Sequence, residues 1–465
     1  MIKKCAPLSG ECIIQMQKIF CGGKTAVVTA LVLMFSMLLC LRTDAVTFTP
    51  NFTVESDAAY LVNLDKDLTL YEKNADKRCY PASLTKIMTA IIVLENVPDL
   101  DNTYVEAPLV VFDELYMTGA STADYSRGEI ASVNDLMHAM LMASACEAAG
   151  TLAYHVGGES IPNFIDMMNT KAQELGCTGT HFANPHGLFD EEQYTTARDM
   201  AVITQYAIEN YPKFMEIAST VEYQLSPTNK RPDGATVYHT NSMLKSSSDF
   251  YYPYAKGIKT GTLDESGRNL VTMASCDGNN YLLVTMGAPM TLEDGTKANF
   301  QYTDHRNIYE WAFNTFEYMN IMRTDEAVSE VSVRFGQDKD YVSVCPKDPY
   351  STLWPNTYDT ANIYRKITKE EIVQAPVRKG DKLGTIELQL SGQTLFTTDL
   401  VAMDDVEISM LDYNIDLAKK FTKSSMFKIA IAAAVVLVML YIIIYISTGR
   451  KKKRRIKRVN KSRRF

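Results

Sequence analysis

Three short polar stretches carry the side chains of this chain best suited to acyl transfer. In Tyr80-Pro-Ala-Ser-Leu-Thr-Lys86 the serine and lysine stand three apart, so on a helix they share a face and their polar ends can meet. Partial burial favours the neutral form of a lysine, which can then take the serine proton and leave a nucleophilic oxygen. The spacing Ser-x-x-Lys occurs at Ser83, Ser242 and Ser425. The second lies among Ser246, Ser247 and Ser248, and the third abuts a long apolar run. Only the first opens a helix whose next residues, Ile87 to Leu94, are almost wholly apolar. Farther along come Ser144-Ala-Cys146 and Lys259-Thr-Gly261-Thr262. Singly, Ser144 reads as one more residue of a helix, and Lys259-Thr-Gly261 as the end of a strand.

The elements that would position these groups are legible in the periodicity. Pro81 favours a helix start just ahead of Ser83. The helix that follows is apolar on nearly every side, and so belongs in a core; it is too short to cross a bilayer. Residues 60–64 and 68–72 alternate like two strands around an Asp65-Lys66-Asp67 turn. Helices are expected over 134–155, 161–175 and 196–209, one or two buried strands over 268–288, and a closing helix over 305–321. Strands flanking a helical middle make residues 46–325 an α/β or α+β domain. From 326 to 412, short alternating runs separated by turns such as Lys379-Gly-Asp381 predict a small β-rich, sandwich-like domain.

Both ends read as membrane or targeting segments. Lys18 and Lys24 precede an apolar run from Ala26 to Leu41, so residues 1–45 are a signal peptide or an uncleaved signal anchor. Residues 413–428 read as an amphipathic stalk. Residues 429–447 are apolar enough to cross a bilayer, and 448–465 form a basic tail that the positive-inside rule places in the cytoplasm, with the main body outside the cell. Eleven of the 47 Lys and Arg fall in 450–465, which leaves 36 against 55 acidic residues elsewhere. A body that acidic argues against nucleic-acid binding. Of nine cysteines, four lie in the leader; Cys79, Cys146, Cys177, Cys276 and Cys345 are scattered without Cys-x-x-Cys spacing. The histidines also lack metal spacing, so neither a disulfide framework nor a metal or cofactor is expected.

The order Ser-x-x-Lys, Ser-x-(polar), Lys-Thr-Gly is the signature of penicillin-recognising serine enzymes. The chain resembles the serine-type D-Ala-D-Ala carboxypeptidases, the low-molecular-mass penicillin-binding proteins, over most of residues 55–410. The likeness includes Leu70-Tyr-Glu-Lys-Asn-Ala-Asp76, Phe182-Ala-Asn-Pro-His-Gly-Leu188, Tyr194-Thr-Thr-Ala-Arg-Asp-Met200 and, in the second domain, Pro376-Val-Arg-Lys-Gly-Asp-Lys-Leu-Gly-Thr-Ile386. It implies a transpeptidase-like or β-lactamase-like fold and an exported, membrane-tethered enzyme that removes the terminal D-alanine of peptidoglycan stems. It implies Ser83 as nucleophile, Lys86 as its base and Ser144 as proton relay. Lys259, Thr260, Gly261 and Thr262 would hold the substrate, and β-lactams would acylate the same serine. One position departs from the family: Cys146 stands where Asn is usual, and a thiol donates and accepts less well than an amide. A catalytically weak binder of penicillin or peptidoglycan with the same fold therefore stays open, as does an endopeptidase. A β-lactamase is disfavoured, because no Glu-x-x-Asn is placed to activate a deacylating water.

Overall fold

The computed structural model describes residues 49–292, 294–390 and 392–461. The signal or anchor segment expected over 1–45 lies outside the described residues. The chain divides into two compact units, one of residues 1–317 with 354–357, the other of 318–353 with 358–465.

The first unit is built on a five-stranded antiparallel sheet. Its strands are β1 (Ala58–Asn63), β2 (Leu68–Lys73), β3 (Ala255–Leu263), β4 (Gly267–Cys276) and β5 (Asn279–Ala288), in the order β2-β1-β5-β4-β3. Helices cover both faces, so β1, β4 and β5 read as nearly continuous apolar runs rather than alternating ones. On one side Val271, Val284 and Met286 join a core with Ile87, Met88, Ile91, Leu136 and Leu152. The helices of that side include α1 (Lys86–Asn96), α2 (Leu109–Leu115), α3 (Val133–Met142), α4 (Cys146–Val156), α5 (Ile161–Glu174), α6 (Ala197–Asn210) and α7 (Pro212–Ala218). Ser132 and Thr196 cap α3 and α6 by accepting from the third N–H beyond them, of Asp135 and Asp199. On the other side lies α8 (Phe300–Thr315), where Thr272 of β4 bonds to both His305 and Tyr309. The closing helix thus begins five residues earlier than periodicity placed it, and residues Phe316–Met322 are a strand.

The single helix expected over 134–155 is two helices. Ser144 has a left-handed backbone (φ +65°), and the chain turns sharply between α3 and α4. Three hydrogen bonds hold that turn: Ala145 N–H to Ala139 O, Cys146 N–H to Ser121 O, and Thr240 N–H to Met142 O.

The second unit carries a six-stranded sheet of β6 (Ser329–Arg334), β7 (Tyr341–Pro346), β8 (Tyr364–Lys369), β9 (Ile372–Gln374), β10 (Lys382–Leu390) and β11 (Gln393–Ala402), in the order β8-β10-β11-β7-β6-β9. Only the β6–β9 pairing is parallel. α9 (Met410–Lys423) follows, capped by Ser409 and tied to β6 through an Arg334–Asp416 ion pair at 2.9 Å. α10 (Ser425–Lys461) contains a 26-residue stretch, Ser425–Arg450, long and apolar enough to cross a membrane. At about 1.5 Å per residue it exceeds a hydrocarbon core of roughly 30 Å.

Candidate active site

Ser83 sits in a one-turn 3-10 helix, Ala82–Thr85, that runs directly into α1. Ala82 adopts φ +50°, a conformation that costs a non-glycine residue on the order of 1 kcal/mol and persists only where neighbours impose it. Those neighbours are visible. Asn269 of β4 donates its amide N–H groups to Tyr80 O (2.9 Å) and Pro81 O (3.1 Å) and accepts from Gly287 N–H, pinning the turn to the sheet. From the opposite side the Phe182–Leu188 loop presses on it. A Cβ at Gly187 would lie 2.0 Å from Ala82 O, and Gly187 has φ +86°, so only glycine fits.

Lys86 is fully buried, and its Nζ has three partners: Ser83 Oγ at 3.0 Å, His186 O at 2.5 Å and Cys146 Sγ at 3.4 Å. These engage an ammonium's three donors. The His186 ring is itself buried against Glu114 at 3.1 Å, with Leu188 N–H donating to its Nδ1 at 3.3 Å, and burial pushes its pKa down. Cys146 is the first residue of α4 and Ser144 lies in the turn before it, 5% exposed. The Ser144 hydroxyl has no hydrogen-bond partner among the described residues. Behind them the buried Glu147 carboxylate accepts from Ala123 and Tyr125 N–H. It thereby fixes the loop whose Ser121 carbonyl receives Cys146 N–H.

Lys259, Thr260, Gly261 and Thr262 lie on β3, the edge strand of the sheet. Lys259 is fully buried, with Nζ on Thr260 O at 3.0 Å. Burial first, and the Lys86 charge second, push its pKa well below the ordinary lysine value, while Cys146 acts in the opposite sense. Thr260 Oγ meets Thr240 Oγ at 2.7 Å. A Cβ built on Gly261 would approach Pro81 O at 3.0 Å and Ser83 N at 3.3 Å, so the strand edge passes beside the serine's own amide. The three stretches therefore converge: Lys86 touches both Ser83 and Cys146, and Gly261 abuts the Ser83 turn. The other two Ser-x-x-Lys pairs stay apart from this cluster, Ser242 in a short turn and Ser425 at the head of α10.

Sequence reasoning gave no role to Asn269, Glu147 or Glu114. Each acts through a partner 22 to 189 residues away, and nothing in local pattern signals such a contact.

Residues 44–290 match the family model described as D-alanyl-D-alanine carboxypeptidase (Peptidase_S11), and residues 316–408 match the penicillin-binding protein 5 C-terminal domain. D-alanyl-D-alanine carboxypeptidase DacC of Escherichia coli K12 is 30% identical over 362 residues, covering 76% of this chain and 85% of the relative. The solved penicillin-binding protein 5 of Haemophilus influenzae is 27% identical with a TM-score of 0.56, covering 77% of this chain and 99% of that one. The Streptomyces K15 DD-transpeptidase has been solved with alanine in place of a serine (29% identity, 57% of this chain and 99% of that one, TM-score 0.51) and, separately, in place of a cysteine two positions later. That is the spacing of Ser144 and Cys146. Matched over more than half its length, the chain belongs to the serine-type D-alanyl-D-alanine carboxypeptidase family.

Proposed function

We propose that this protein removes the terminal D-alanine from peptidoglycan pentapeptide stems through an acyl-enzyme on Ser83. The observation that carries the reading is the buried Lys86 Nζ, held 3.0 Å from Ser83 Oγ. Lys86, once neutral, takes the Ser83 proton as Oγ attacks the carbonyl of the penultimate D-alanine. The developing oxyanion faces the N–H groups of Ser83 and Thr262, and such donors are typically worth about 3 to 4 kcal/mol each. Ser144 passes a proton to the leaving D-alanine amine. Lys259 supplies the charge that receives the substrate's terminal carboxylate, with the hydroxyls of Thr260 and Thr262 beside it. Water then hydrolyses the ester, and Lys86 returns the proton to Ser83. β-Lactams enter by the same attack and leave slowly. The C-terminal span anchors the enzyme with its basic tail in the cytoplasm and the catalytic unit outside.

The full-length chain in detergent should release D-alanine from a peptide ending in D-Ala-D-Ala and gain the mass of one benzylpenicillin, and Ser83→Ala should lose both. A lasting penicillin adduct without D-alanine release would make it a binder of penicillin and stems instead of a hydrolase. The serine-cysteine spacing shared with a DD-transpeptidase supports a second reading, transfer of the acyl group to an amine. Adding an amino-acid acceptor to the assay distinguishes the two, because transfer yields a new peptide bond at the expense of the free acid.

A further inference from the structure

Three groups hold Lys86 Nζ, and one short helix braces two of them. Of the seven residues of α2 only Val111 is buried. Its methyl groups occupy the notch at Gly150 of α4, where a Cβ would come within 2.8 Å of Val111 Cγ1. Gly150 lies one turn beyond Cys146, so α2 rests on the helix that carries the thiol to Lys86. One turn along α2 from Val111, on the same face, Glu114 Oε1 stands 3.1 Å from His186 Nε2. The carbonyl of that same histidine accepts from Lys86 at 2.5 Å.

The His186 ring is tied at both nitrogens. Leu188 N–H donates to Nδ1 at 3.3 Å, so Nδ1 carries no proton and Nε2 bears the hydrogen that Glu114 accepts. Among the described residues the Glu114 carboxylate has no other polar partner. The His186–Gly187 peptide is tied separately. Asn184 Oδ1 accepts from Gly187 N–H at 2.7 Å, and Thr89 Oγ donates to Pro185 O at 2.6 Å. Those bonds set the tilt of the His186 carbonyl. The ring's bond to Glu114 sets how closely that carbonyl stands to Lys86, because ring and carbonyl share one Cα.

We propose that Glu114 is a positioning residue: by holding the His186 ring it fixes the carbonyl that sets Lys86 Nζ against Ser83 Oγ. The proposal rests on the carboxypeptidase reading above and adds a residue that acts only through others. A proton acceptor displaced by a fraction of an ångström loses much of its advantage, whereas substrate binding at the other side of the cleft is untouched. Glu114 therefore bears on the rate of acylation and not on affinity.

The test measures acylation by benzylpenicillin over a range of concentrations, and steady-state D-alanine release, with the full chain in detergent. Glu114→Ala should lower both the saturating acylation rate and kcat roughly tenfold, with KM and the half-saturating penicillin concentration within about twofold of wild type. Because the Glu114 side chain is itself 37% exposed, its removal lets water reach Nε2, and the variant should fold. Glu114→Gln keeps an acceptor oxygen at the same reach and should recover most of the rate. Asp113→Ala, an exposed neighbour on α2, should match wild type. A loss confined to rate and rescued by the amide is what a merely structural role would not give. A folded Glu114→Ala with the wild-type acylation rate overturns the proposal, as does a Glu114→Gln no faster than Glu114→Ala. Should Glu114→Ala fail to fold, Glu114→Leu, which fills the same space without an acceptor, is read in the same way. A wild-type chain that neither releases D-alanine nor takes up penicillin defeats the carboxypeptidase reading and this proposal together. Normal wild-type turnover with insensitive variants defeats only the role of Glu114.

Discussion

Cys146 stands where sequence reasoning expected an amide, and a DD-transpeptidase similar to this chain has a cysteine at the same spacing from its serine. An amide there could accept from Lys86 and donate to a substrate carbonyl at once; the thiol meets Lys86 at 3.4 Å and does either weakly. Lys86 is therefore held mainly by Ser83 and His186 O. Restoring the amide in Cys146→Asn should raise D-alanine release severalfold, the effect of about one added hydrogen bond. Steady-state turnover measures it, and a slower variant would show that the thiol is the fitted group. That the Ser83, Ser144 and Lys259 stretches belong together was legible, because their types and spacings are local facts of sequence. Asn269 was not, since its value lies in carbonyls 188 and 189 positions away.

The elements were legible to different degrees, for physical reasons. The β1–β2 hairpin and the Ser83 helix carry strong alternation or an unbroken apolar run, and both stand where periodicity placed them. The break between α3 and α4 was invisible, because Ala, Leu and Met favour helix on either side of it. It is imposed by distant carbonyls, chiefly Ser121 O on Cys146 N–H. α9 was legible as an amphipathic segment, and its exposed apolar side chains include Leu411, Leu417 and Phe421. Removing residues 425–465 deletes the span but keeps this face, so that chain should still cosediment in part with anionic lipid vesicles. With residues 1–45 left out of both, a chain ending at Ser409 should stay in the supernatant. Equal partitioning of the two would leave α9 without a part in membrane binding.

At the scale of the whole molecule, buried histidines tie stability to pH. Burial lowers the pKa of His138, His186, His239 and His305, with His239 and His305 brought to about 3. An unfolded histidine titrates near 6.5, so below about that pH the unfolded chain binds protons that the folded one refuses. Stability therefore falls as pH falls below about 6.5, over a window that for His239 and His305 extends down to about pH 3. Thermal unfolding followed from pH 7 to pH 4.5 should show a steadily decreasing melting temperature, and a flat profile would contradict it. At the other end of the chain a single residue, Ser424, separates α9 from α10, and the rings of Phe421 and Phe427 meet across it at 5.2 Å. One residue spans less than about 4 Å, so with α10 seated in a bilayer α9 has no slack to drift away. The β-rich unit, joined to α9 by the Arg334–Asp416 pair and the Phe335–Tyr413 ring contact, would then be kept close to that bilayer. Its encounters with substrate would become a search in two dimensions, paced by lateral diffusion rather than by concentration in a volume.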